Sequence, residues 1–160
     1  MYKLLILALM STLFMAIYGL QTDQEIAMHT LFVGKHGLNT AVHAASQQSD
    51  QAKLALGVHS IDAAKAQAAA LQYLQTNLRL DTNNEPLPGT FFRSRVEVLV
   101  LEVLNEQHSF PYTYINAAYN YAVTLKRPGV VMIIRLEFPR TYSVLQPVVW
   151  TIKATSEIVY

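Results

Sequence analysis

The chain has 160 residues, of which 52% are hydrophobic and only 14% charged, with no cysteine and a formal net charge of +1. That length holds one globular domain plus an accessory element, scattered basic residues give no footprint for nucleic acid, and the lack of cysteine excludes disulfides, thiolate catalysis and Cys-ligated metals. Against roughly 25% charged residues in an ordinary soluble domain, a chain this poor in charge either sits in lipid or buries its surface against copies of itself.

Lys3 precedes an apolar run from Leu4 to Leu20 whose only clearly polar members are Ser11 and Thr12. As helix this run spans about 25 Å, the short end of what crosses a bilayer. A secretory signal would fit the lysine and the apolar core. The small-x-small cleavage site is missing, however, because in MAIYGLQT the bulky Ile17 stands where a small side chain is wanted. A buried core helix is a third reading. The preferred one is a retained membrane and assembly helix, with Leu4, Leu5, Leu7, Leu9, Leu13, Phe14 and Ile17 as its working residues. Lys3 on one flank, with Asp23 and Glu25 on the other, predicts a cytoplasmic N-terminus and an external remainder.

No proline interrupts Gln21 to Gln48, and apolar residues recur at Ala27/Met28, Leu31, Leu38, Ala41/Val42 and Ala45. These spacings mark one face of a helix. The simplest expectation is one helix from Leu4 to Gln48, about 67 Å long. Gly34 and Gly37 are its weak point, each costing about 1 kcal/mol relative to alanine, and predict a bend or a melted turn. His29, His36 and His43 recur every seventh residue, about 10 Å apart along a helix, so one ion within one chain cannot be shared. They read as one polar or inter-subunit edge.

SIDAAKAQAAALQYLQTNLRL predicts a second helix, with Ser60 as N-cap, Asp62 in the first turn and Arg79 in the last. Its expected buried stripe is Ile61, Ala64, Ala68, Leu71, Leu74 and Leu78. Asp81 to Gly89 (DTNNEPLPG) then reads as an exposed linker. The implied organisation is an apolar helix over 1–20, an amphipathic helical region over 21–80, the linker over 81–89 and a sheet region over 90–160.

Beyond the linker the chain turns β-branched and aromatic. Phe91 to Leu104, Tyr119 to Leu125, Val130 to Phe138 and Pro147 to Tyr160 read as strands. Lys126 to Gly129 (KRPG) suits a tight hairpin, and Phe138 to Ser143 (FPRTYS) a second turn. Connections this short predict an antiparallel, meander-like sheet with the helices covering one face, an α+β fold.

Catalytic signatures are missing: no GxGxxG, Walker loop, HExxH or GxSxG occurs. Glu97 and Glu102 share a strand, but their odd offset predicts opposite faces. No enzyme activity, cofactor, metal site or small-molecule substrate is expected. Ser109 to Leu125 carries no charged residue, and its aromatic members Phe110, Tyr112, Tyr114, Tyr119 and Tyr121 allow two readings. One is a half-buried edge strand and loop. The other is a protein contact surface, since tyrosine offers large contact area at low entropy cost.

MYKLLILALMSTLFMAIYGL and its amphipathic continuation through GLNTAVHAASQQ, leading into an antiparallel sheet, resemble type IV pilins, and the tight-adherence branch in particular. Mature pilins commonly begin with Phe or Met, and Met1 is compatible. At the fifth position, where the family usually carries a glutamate that neutralises a neighbour's terminal amine, this chain has Leu5. The resemblance implies a non-catalytic structural subunit of an extracellular filament. It would be a homopolymer held in the membrane before assembly, its apolar helices bundled along the axis. The alternative, from another class, is a single-pass membrane-anchored domain that binds a ligand or partner outside the cell. A secreted protein with a cleaved signal is the third.

Overall fold

The computed structural model describes residues 2–141 and 145–159. The apolar run and its amphipathic continuation form one helix, α1 (Tyr2–Ser46). A single turn, α2 (Gln51–Leu54), is capped by the Asp50 carboxylate, which accepts from the backbone N–H groups of Ala52 and Lys53. The chain then reverses into α3 (Ala63–Leu78). The N-cap of α3 is Asp62, two residues beyond the expected Ser60, and its carboxylate accepts from the Lys65 N–H at 3.1 Å.

The buried face also differs from the one expected. The buried stripe of α3 is Ala66, Ala70, Leu74 and Leu78, whereas the expected Ala64 and Ala68 are exposed. Ile61 is buried but precedes the helix, held where the Asn105 side chain bonds both its N–H and its carbonyl. Small residues let α1 and α3 approach closely, with Gly37, Ala41 and Ala45 buried on one and Ala66 and Ala70 on the other.

Five strands follow: β1 (Glu97–Leu104), β2 (Tyr112–Asn116), β3 (Tyr121–Leu125), β4 (Gly129–Phe138) and β5 (Val148–Glu157). All pairings are antiparallel, but they make two sheets rather than one meander, β1-β4-β5 and β2-β3. Lys126 to Gly129 is therefore not the hairpin turn expected. β3 pairs with β2, across a turn at Ala117–Tyr119, and KRPG carries the chain from the small sheet to the large one. β4 and β5 do pair directly, Phe138 facing Val148. The expected turn at Phe138 to Ser143 falls in part on residues 142–144, outside the described residues.

β4 is central and covered on both faces. Val130, Met132, Ile134 and Leu136 point to the helices, in the main core with Leu38, Val42, Leu74 and Leu78. Val131 points the other way, under the β2–β3 hairpin, in a second core with Leu104, Tyr114 and Leu125. The sheet thus lies between a helical layer and a small second sheet.

Candidate functional site

α1 divides at about Leu20. From Asp23 onward it buries a stripe, Asp23, Ala27, Thr30, Gly34, Gly37, Leu38, Ala41, Val42 and Ala45, against β4, β5 and α3. Before that, every large apolar side chain is exposed. Leu4 is 73% exposed, Phe14 70% and Ile17, the least open of the expected assembly residues, 47%; Leu5, Leu7, Leu9 and Leu13 lie between. This is the one helix among the described residues long and apolar enough to cross a membrane, and its most apolar window, of mean hydropathy 2.0, is nowhere buried. Covering one large aliphatic or aromatic side chain is worth about 1.5–3 kcal/mol. Leaving the whole run in water thus costs on the order of 20 kcal/mol, beyond the 5–15 kcal/mol by which a domain is stable. The segment needs a cover that its own chain does not supply.

Two threonines, one within the run and one just past it, are compatible with a dry surrounding. Thr12 Oγ1 donates to the Leu9 carbonyl at 2.9 Å and Thr22 Oγ1 to the Tyr18 carbonyl at 3.0 Å, so neither hydroxyl asks for water.

Where α1 meets the domain it is fastened at both ends. Asp23, 5% exposed, accepts from the Thr141 backbone N–H at 2.9 Å and from its hydroxyl at 2.5 Å. At the far end Ser46 Oγ and Ser156 Oγ are 2.9 Å apart. Beside the Asp23 clasp a cleft of about 420 Å³ opens between α1 and the start of β5, lined among others by Leu20, Met28, Arg140 and Trp150. Arg140, Thr141 and Trp150 complete this neck. Sequence patterning misses them because the clasp joins residues 118 positions apart.

The expected hinge is absent as a break in structure. The helix runs unbroken through Gly34 and Gly37. A Cβ on Gly34 would overlap Leu136 Cδ1, and one on Gly37 would stand 2.5 Å from Leu78 Cδ2. The two glycines make room for the sheet on one side and for α3 on the other.

The aromatic residues proposed as a contact surface are largely spent inside the chain. Tyr114 is 6% exposed, and Phe110, Tyr112 and Tyr121 are half-buried around the same second core. Tyr119 is half-buried in the turn. Tyr114 accepts from Asn116 Nδ2 at 3.2 Å, and burial raises its pKa above the ordinary phenol value. Tyr121 O–H and Thr155 Oγ1, 2.8 Å apart, tie the hairpin to β5.

Glu97 and Glu102 are not on opposite faces. A bulge shifts the register, Val98 facing Ile134 and Val100 facing Ile133, so that Glu97 and Glu102 stand opposite Arg135 and Val131, on one face. Their positions are about 13 Å apart along the strand, and Glu97 is paired with Arg135 at 3.0 Å. His29, His36 and His43 are all exposed, and the His29 ring meets Phe91 edge-on at 4.5 Å.

No family model matches the chain, and neither a curated protein nor a solved structure does. What stands is an α+β domain carried on a long apolar N-terminal helix, an architecture compatible with pilin-like folds and with membrane-anchored domains.

Proposed function

We propose that this chain is a structural, non-catalytic subunit of an extracellular pilus-like filament, held in the membrane by the first half of α1 until assembly. One observation carries the reading. The uncovered apolar rod over Leu4 to Leu20 and the core helix of the domain are a single unbroken helix. Such a part has two covers of matching chemistry, lipid before assembly and the same rods of other copies afterwards. Bundling the rods along an axis would leave the sheets outward.

A single-pass anchored domain is the second reading, favoured by Leu5 and by the lack of any acidic residue in the first turn of α1. The first turn of such a helix has no carboxylate with which to receive a neighbour's amine.

The test is electron microscopy and mass spectrometry of material sheared from cells. Thin uniform fibres whose subunit retains the Leu4–Leu20 segment support the filament. Protein found only in membranes as a monomer supports the anchor. Secreted protein beginning after Leu20 ends both. Leu9→Asp puts a charge where it costs about 2.5–3.5 kcal/mol in a bilayer. Because Leu9 is exposed on the uncovered half of α1, the substitution should abolish fibres while leaving the fold intact.

A further inference from the structure

The cleft at the neck brings three features together. First, Trp150 pairs with Leu136 across β4–β5 and so lies on the helix side of the sheet, where its indole N–H is buried with no hydrogen-bond partner among the described residues. The N–H itself is enclosed, so what Trp150 presents to the cleft is its ring. Second, Arg140 lines the same cleft, is exposed, and forms no ion pair among the described residues. Third, Asp23 offers the opposite charge there. Thr141 occupies one position on each carboxylate oxygen, and an ionised carboxylate has about four.

Location adds the rest. The cleft runs along α1 from Leu20 to Met28, about 12 Å of helix rise. Leu20 closes the apolar run, so with that run in a bilayer the cleft begins at the hydrocarbon boundary. It then crosses the headgroup layer, which is about 5–8 Å deep on each side. Tryptophan and arginine are the residues that settle at this depth.

We propose that the neck cleft binds the headgroup of a zwitterionic aminophospholipid, phosphoethanolamine. Its phosphate meets the Arg140 guanidinium, its ammonium turns toward Asp23, and the Trp150 ring walls the cleft beside them. A purely anionic headgroup would satisfy Arg140 but face the Asp23 carboxylate. A phosphocholine would bring its positive charge without N–H donors. The inference rests on the reading of α1 as membrane-inserted before assembly.

Trp150 is the only tryptophan in the chain, so its fluorescence reports on the site alone. The full-length protein is reconstituted into phosphatidylcholine vesicles, and phosphatidylethanolamine is titrated in. The expected result is a saturable shift of Trp150 emission, with stronger quenching by headgroup-labelled than by mid-chain-labelled lipid. Phosphatidylglycerol or inorganic phosphate in its place should give no shift. Arg140→Gln, at an exposed position, should abolish the response or move its midpoint by about tenfold with unchanged circular dichroism. A shift with phosphate alone, or an equal response to phosphatidylglycerol, overturns the assignment. Flotation of the vesicles and protease protection of Leu4–Leu20 separate the two levels. A protein that inserts but whose Trp150 ignores phosphatidylethanolamine removes this inference and leaves the membrane reading standing, whereas one that never inserts removes both.

Discussion

Asp23 and Thr141 are 118 residues apart in sequence and joined twice, the carboxylate of one receiving both the backbone N–H and the hydroxyl of the other. The helix residue lies three positions past the apolar run, and its partner lies just past the end of β4. This clasp sets where the rod leaves the domain. Ser46 and Ser156 do the same at the opposite end of the packed half.

Asp23→Ala removes both bonds to Thr141, each worth about 0.5–1.5 kcal/mol. Stability should fall by about 1–3 kcal/mol, read as a lower unfolding temperature of the full chain in detergent micelles. Thr141→Val, which removes only the hydroxyl bond, should lose less. Equal values for the two variants and the parent would show that the clasp contributes nothing.

Gly34→Ala and Gly37→Ala oppose a propensity gain of about 1 kcal/mol to a clash with buried leucines. Leu136 and Leu78 are both almost fully enclosed, so they cannot swing aside without disturbing the core. Overpacking costs about 1–3 kcal/mol, and the clash should win at both positions. Either alanine variant proving more stable than the parent would refute the close-packing account and restore the glycines as mere weak points in the helix.

Tyr112 and Tyr114 hold the small sheet on the large one. Replacing both by serine should cost several kcal/mol, in the range of large-to-small core substitutions of about 3–5 kcal/mol each for an aromatic ring, because Tyr114 is buried in the second core. Loss of assembly with full thermal stability would instead assign these rings to a subunit interface.

Much of the helical half could be read directly, because helix signals are local. An apolar run, then a period of three and four, specified α1 almost to its last residue. The strand half was legible in composition and in its antiparallel sense, and β4 does pair with β5, but the other partners were not. Alternation says which residues are strand and is silent on partners, so Lys126 to Gly129 looked like a hairpin when β3 in fact folds back on β2. The bulge between Val98 and Val100 left no mark in the sequence, yet it reverses which face Glu102 occupies. The rod itself was visible as composition. The neck was not, because Arg140, Thr141 and Trp150 gain meaning only from what tertiary folding sets beside them.

The α2 turn meets the end of β1 through an ion pair between Lys53 and Glu106, and this pair predicts an acid limb in the stability curve. Hydrogen bonding to Lys53 first, and to Ser60 next, lowers the Glu106 pKa to about 2 from an ordinary value of 4.5. A depressed carboxylate contributes stability that is present above its unfolded value and lost as pH falls toward its folded one. The unfolding temperature should therefore drop between about pH 5 and pH 2, and Glu106→Gln should flatten that part of the drop. Both side chains are open to solvent, so the effect is modest and should shrink further in high salt. A variant curve parallel to the parent throughout would dismiss the pair as a contributor.

Because rod and core are one helix, clasped at both ends of its packed half, the domain cannot swivel on a flexible stalk. It is a lever. From Asp23 to Ser46 the packed half of α1 is about 35 Å long, and membrane helices tilt by about 20° on average. Such a tilt carries the Ser46 end sideways by about 12 Å. With the rod in a bilayer, its tilt, set by packing and interfacial anchors, would thus aim the outer surface of the domain. Any push on that surface would reach the lipid as a torque on the rod.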